Sequence, residues 1–208
     1  MNSNSICGAA AVTIAIGVAL AACGGGDAIA QTPSFNLTSP DIIGSNLPNK
    51  FVLNGFGCSG GNVSPALQWA NAPAGTKSFA LQVYDPDAPT GSGLWHWAVY
   101  DIPAGASVLA QGAGNDPSKL PAGAYGGSND FQNTGVNGAN GNYGGPCPPA
   151  GDAPHHYVFT LYALGVDHVA AAAQLPQAGT PALYGFILRK GLGAALLGTA
   201  SMTVTYGR

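Results

Sequence analysis

Apolar and polar positions alternate in short stretches of this chain and rarely recur at helical spacing. Phe79 to Tyr84 sets Phe, Leu and Val against Ala, Gln and Tyr, the period of two that marks a half-buried strand. It runs into Asp85-Pro86-Asp87-Ala88-Pro89, where two prolines end any ladder. After a loop containing Gly91 and Gly93, Trp95 to Ile102 reads as the next strand. Alternation predicts Trp95, Trp97 and Val99 on one face and His96, Ala98 and Tyr100 on the other. Tyr157 to Leu164 and Met202 to Tyr206 read as two further strands, and Phe51-Val52-Leu53 as a short one. One helix is expected. Thr180 is its N-cap, Pro181 lies in its first turn, Leu183, Phe186 and Ile187 form its apolar stripe, and Arg189 and Lys190 sit near its end. Residues 103–154 read mostly as loop. Within them the Gly/Asn-rich stretch 133–145 has no apolar periodicity and is expected to be mobile.

Composition sharpens this picture. The 208 residues include no Glu, nine Asp, and only six Lys plus Arg, so the side chains that usually cover solvent-facing helix positions are scarce. The 32 Gly and 16 Pro favour turns, so the chain is expected to be rich in strands and loops. Apolar residues at 46% argue for a packed core, and the length suits a single domain over 31–208. A net charge of −3 with no basic stripe argues against a nucleic-acid partner.

The first thirty residues read as an export signal and tether. Ile14 to Ala22 is apolar but too short to span a bilayer comfortably. Leu20-Ala21-Ala22-Cys23 resembles a bacterial lipobox, which would lipidate Cys23 and leave Gly24, Gly25 and Gly26 as a flexible link. Ala28-Ile29-Ala30 is a second candidate cleavage site and would release a soluble protein. On either reading the protein is exported, to the periplasm, and touches membrane only through an N-terminal lipid. Met1 to Gly8 lacks the Lys or Arg that such signals normally carry. The mature part keeps two cysteines, Cys58 and Cys147. In an oxidising compartment an even pair suggests one disulfide, and the alternative is two buried free thiols.

The residues able to do chemistry gather at strand ends. Asp85 and Asp87 close one strand, His96 lies on the next, and His155 and His156 open a third. Neighbours on a strand point to opposite faces, so only one of His155 and His156 shares a pocket with His96, and Tyr157 points to the side of His155. A carboxylate beside an imidazole orients it and favours its charged form. Two such histidines with a tyrosine hydroxyl make a small anion cradle. Amides of the loop Gly144-Gly145-Pro146-Cys147-Pro148-Pro149 would add donors.

These residues also carry a resemblance. Asp85-Pro86-Asp87-Ala88-Pro89, Gly91-Ser92-Gly93-Leu94-Trp95-His96-Trp97, Gly145-Pro146-Cys147-Pro148-Pro149 and His155-His156-Tyr157 occur in this order. Gly60-Gly61-Asn62-Val63-Ser64-Pro65, Trp69 and Pro73-Ala74-Gly75-Thr76-Lys77-Ser78 precede or interleave with them. Together they resemble the phosphatidylethanolamine-binding protein family, in its bacterial YbhB/YbcL, Raf kinase inhibitor-like branch. The resemblance implies an all-β-dominated fold, an antiparallel, Greek-key-like β-sandwich with a few short helices. It implies a non-catalytic pocket for a small anion or a phospholipid head group. Asp85, His96 and His155 would line that pocket, Asp87 and Tyr157 would lie close by, and Gly145 and Pro146 would supply loop walls. No cofactor or metal is called for. Ser128 stands where bacterial relatives often carry Arg, and His156 replaces the commoner Arg between His155 and Tyr157.

Three other readings compete. Gly57-Cys58-Ser59-Gly60-Gly61 matches G-x-S-x-G, the pattern of a weak hydrolase, but the residues after it do not read as the required helix. Two His and two Asp are a zinc-like set, without H-E-x-x-H or C-x-x-C spacing. The long loops, the 133–145 stretch above all, suit an inhibitor or interaction module acting on a partner kinase or protease.

Overall fold

A computed structural model describes residues 33–132, 134 and 143–208. The expected leader over residues 1–30, with Cys23 and Ala30, and most of the 133–145 stretch lie outside the described residues.

In chain order the strands are Asn36–Thr38 (β1), Asn54–Gly55 (β2), Cys58–Ser59 (β3), Leu67–Ala70 (β4), Ser78–Asp85 (β5), Leu94–Pro103 (β6), Val108–Leu109 (β7), Tyr125–Gly126 (β8), His155–Leu164 (β9) and Leu196–Tyr206 (β10). Two short helices, Val169–Ala173 (α1) and Pro181–Phe186 (α2), lie between the last two strands. A five-stranded sheet runs in the order β10-β9-β5-β6-β8 and a three-stranded sheet in the order β1-β4-β7, while β2 and β3 pair alone. Every pairing within these sheets is antiparallel.

The sheets face each other across the main core. Leu37, Leu67, Trp69 and Leu109 from the small sheet meet Phe79, Leu81, Val83, Trp97, Val99, Phe159 and Leu161 from the large one. Trp69 and Phe79 cross this interface edge to face at 5.4 Å. The other face of the large sheet is covered too. Ala80, Ala98, Tyr100, Tyr162 and Leu164 pack against Val169, Ala170, Tyr184 and Leu188 of the helical segment. This second layer corrects the expectation of a half-buried strand, because β5 is buried at every position except Tyr84.

The helical segment differs from its expected form in one more way. Thr180 does cap α2, its hydroxyl accepting from Leu183 N, and Pro181 lies in the first turn. The buried face, however, is Pro181, Tyr184 and Gly185, while Leu183 and Phe186 are exposed. Tyr184 stacks on Tyr100 at 4.3 Å, and a Cβ at Gly185 would meet Trp95 at 3.4 Å. Ring stacking and close approach, not aliphatic bulk, choose the inner face.

Two further local expectations change. Phe51-Val52-Leu53 is no ladder strand: Asn49–Phe51 forms a 3-10 turn, and the next two residues are clamped by their neighbours. Leu53 N donates to Pro146 O, Leu53 O accepts from Gly60 N, and Val52 O accepts from Asn62 N. The closing strand begins at Leu196, well before Met202, because Leu196 to Ser201 continues the pairing with β9.

β6 slips register twice against β5, once between Phe79↔Ile102 and Leu81↔Val99, and once between Val83↔Trp97 and Tyr84↔Trp95. Each slip leaves an extra residue on β6 and resets the inside–outside alternation. At the first, Asp101 adopts φ 55° and turns its carboxylate to Val169 N at the start of α1. At the second, the extra residue is His96. Trp95 consequently stacks on Tyr84 and lies against Gly185 on the helical side, while His96 meets Tyr157 and Phe131 on the side of the main core. The predicted faces of Trp95 and His96 are therefore exchanged. Among the described residues no helix is long and apolar enough to cross a membrane.

Candidate functional site

The ends of β5, β6 and β9 come together at one end of the large sheet and bring Asp85, His96, His155 and Tyr157 around a cavity of about 250 Å³. That is at or below the small end of ligand pockets, which suits a small ion or head group better than an extended ligand. Its walls are mostly apolar: Leu53, Phe56, Pro89, Leu94, Phe131, Pro148 and Pro149.

Asp85 continues the inward-facing row of Phe79, Leu81 and Val83, and the turn after it supplies its partners. Its Oδ1 accepts from Asp87 N at 2.8 Å and Ala88 N at 3.1 Å. Its Oδ2 accepts from His155 Nδ1 at 2.8 Å, and both side chains are buried. This hydrogen bond fixes the His155 ring, whose Nε2 lies 3.7 Å from Asp152 Oδ2. Tyr157, two residues on, points to the same side, as strand alternation requires. Its hydroxyl is buried without a hydrogen-bond partner among the described residues. Burial, with the Asp85 charge beside it, raises its pKa, so it stays a donor.

His96 is held by a two-way latch. Gly144 N donates to His96 O at 2.9 Å, and His96 Nδ1 lies 2.7 Å from Gly144 O. A carbonyl only accepts, so Nδ1 carries the hydrogen. His96 is 1% exposed, and its Nε2 has no partner among the described residues. Burial pulls its pKa below the ordinary histidine value, against weaker opposing pulls from the Gly144 carbonyl and the Asp85 and Asp130 charges. The neutral ring thus keeps a buried lone pair at Nε2.

The remaining expected residues sit differently. Asp87 is not in the wall; its Oδ2 accepts from the backbone N of His156 at 2.7 Å and pairs with His156 Nδ1 at 2.8 Å. These bonds hold its pKa below the usual carboxylate range. Gly145 and Pro146 lie behind the wall formed by Cys147, Pro148 and Pro149. Cys58 and Cys147 are joined in a disulfide across 89 residues, which fastens that wall to β3.

Several contributors were not foreseen. Asn62, buried with φ 47°, accepts from Gly145 N at 2.7 Å and donates to Tyr143 O at 3.3 Å, so it holds the peptides on both sides of Gly144. Its motif was visible in Gly60-Gly61-Asn62, but its task was not. Phe131 stacks on Phe56 at the mouth. Asp130 adds a second carboxylate to the lining, and Trp95 N donates to its Oδ2. Arg208 reaches from the end of the chain to Pro148 O at 2.7 Å and Gly57 O at 2.8 Å, bracing two wall loops. Ser59 lies on β3 and is followed by irregular chain up to β4, so the strand–turn–helix of a nucleophile elbow is absent there. Among the described residues no group of three or more His, Cys, Asp or Glu side chains is placed to hold a metal ion.

Comparison with known proteins agrees with this architecture. The family model for phosphatidylethanolamine-binding protein matches residues 38–207. The Escherichia coli protein YbcL is 46% identical over 179 residues, covering 85% of this chain and 90% of its own. YbhB of the same organism is 43% identical, over 69% of this chain and 83% of its own. A Mycobacterium tuberculosis protein whose name, LppC, classes it with the lipoproteins is 36% identical over 80% of this chain and 81% of its own. The crystal structure of E. coli YbcL, described there as a new member of the mammalian family, superposes with a TM-score of 0.72 at 45% identity, covering 84% of this chain and 98% of that one. The chain belongs to the phosphatidylethanolamine-binding protein family.

Proposed function

We propose that the protein binds a small oxyanion, free or as a phosphorylated head group, at the His96–His155 pocket and does not turn it over. The carrying observation is a pair of buried polar atoms without a partner among the described residues, His96 Nε2 and Tyr157 Oη, on two residues that line one small cavity beside the Asp85–His155 pair. Buried polar groups are normally satisfied, and two unsatisfied ones on one cavity mark a place for a polar ligand. Non-catalysis is supported by the placement of Ser59 away from any elbow and by the aprotic character of most of the wall.

The test is calorimetric titration with phosphate and phosphoryl-ethanolamine, with histidine NMR shifts as a second readout. Saturable binding that is lost in a His96→Ala, His155→Ala double variant is expected. No response at millimolar ligand, or an unchanged response in the variant, refutes the reading. We also infer export with a lipid on Cys23, supported by the Leu20-Ala21-Ala22-Cys23 pattern and the lipoprotein naming of LppC. A Cys23→Ser chain that stays in the membrane fraction would count against it.

A further inference from the structure

We propose that the pocket selects an oxyanion that still carries a proton, such as hydrogen phosphate or a phosphomonoester monoanion, and rejects proton-free anions such as sulfate and phosphodiesters. This rests on the anion-binding reading above and names its ligand class.

His96 sets the selection. Its Nδ1 hydrogen is committed to the Gly144 carbonyl at 2.7 Å, so the neutral ring has only a lone pair at Nε2. The carbonyl cannot easily turn away. Gly144 N is bonded to His96 O, and Asn62 grips both neighbouring peptides, Tyr143 O and Gly145 N. A Cβ at Gly144 would lie 2.3 Å from the Phe131 ring, so this segment is tightly seated.

The charges around Nε2 reinforce the choice. Asp85 faces it from β5 and Asp130 from the loop after β8. From β9 come Tyr157, a hydroxyl donor, and His155, whose Nε2 has Asp152 nearby. Among the described residues no Lys or Arg lines the cavity. A proton-free dianion would set an oxygen lone pair against the Nε2 lone pair, with two carboxylates close by. An anion with one O–H gives that hydrogen to Nε2 and keeps its other oxygens for the Tyr157 hydroxyl. The repulsive contact becomes a hydrogen bond. Protonating His96 instead would also supply a donor, but its burial opposes that at neutral pH.

A site built around a specific hydrogen bond rejects the isostere that lacks it, because a buried polar atom is then left unpaired. Hydrogen phosphate and sulfate are such a pair: the same shape and charge, differing by a proton. At about pH 7.5 a phosphomonoester is mostly dianionic, its second pKa being about 6, so its binding should draw about one proton from solvent.

The experiment is calorimetry on the folded, disulfide-bonded protein with inorganic phosphate and with sulfate at the same pH. Phosphate is expected to bind at least roughly tenfold tighter than sulfate. Phosphoryl-ethanolamine, a monoester, should likewise outbind glycerophosphoethanolamine, a diester, and so separate a free phosphoryl ligand from an intact lipid head group. In His96→Gln the carboxamide can accept or donate, and the gap between phosphate and sulfate should narrow. Equal affinity for the two anions in the unaltered protein overturns the proposal while leaving anion binding standing. Binding of neither overturns the anion reading and this proposal with it. If His96→Gln does not fold, the comparison in the unaltered protein decides the matter alone.

Discussion

His96 spends one ring nitrogen on structure and leaves the other without a partner among the described residues. Its Nδ1–H satisfies Gly144 O, and the cost is that unpaired, buried Nε2. Burial lowers its pKa below the ordinary 6.5, which links the site to stability. Below that pH the unfolded chain binds this proton more readily than the native one. The contribution is intact above about pH 6.5 and is lost as pH falls from there toward the folded pKa. In the absence of phosphate, the urea midpoint should therefore fall between about pH 7 and 5, and His96→Gln should flatten that decline. Identical slopes in the two proteins would show that His96 does not carry it. The polar residues at strand ends stood out in the sequence as a group, because they break the apolar alternation, while the choice of His155 over His156 came from the family resemblance. Where the Asp87 carboxylate points was not legible. Its turn residues permit several rotamers, and only the folded chain shows that His156, on the opposite side of β9, captures its carboxylate.

At the scale of elements, the long strands β5, β6 and β9 were readable, and the phase of β6 was not. β5 and β9 keep a strict alternation, so Phe79, Leu81 and Val83, and Tyr157, Phe159 and Leu161, face the main core as expected. β6 does not, because its two register slips depend on the neighbouring strand and have no signature in its own residues. The 49–53 segment was likewise misread, since its hydrogen bonds go to Gly60, Asn62 and Pro146 and not to a parallel or antiparallel ladder. That clamp leaves no room for side chains. A Cβ at Gly145 would lie 2.3 Å from Phe51 O and 2.5 Å from Leu53 N, both backbone atoms that cannot swing aside. Gly145→Ala should cost about 1–3 kcal/mol or more in urea unfolding and weaken phosphate binding, because it displaces the peptide next to Gly144. Gly91→Ala is the control for added side-chain bulk: a Cβ there meets nothing within 4 Å, although its φ of 82° adds some strain. A Gly145→Ala protein as stable as the unaltered one would show that the clamp yields.

At the scale of the whole molecule, the pocket is assembled from parts far apart in the chain. The Asp85–His155 contact spans 70 residues and the Cys58–Cys147 bridge 89. In the chain-entropy account a bridge closing so long a loop stabilises by up to about 4–5 kcal/mol, by restricting the unfolded chain. The Cys58→Ser, Cys147→Ser protein should lose a large part of that in its urea midpoint, with a steeper denaturant slope from the freer unfolded state. An unchanged midpoint would assign the wall's stability to Arg208 and the apolar contacts alone. The extra residue at His96 has a wider implication. It acts as a frameshift in the strand: downstream of it alternation encodes one set of faces, and upstream the other. Anyone grafting this site onto a different sheet must transfer the one-residue slip together with the histidine. Copied into a regular strand, the same letters would point His96 at the helices and send Trp95 into the cavity.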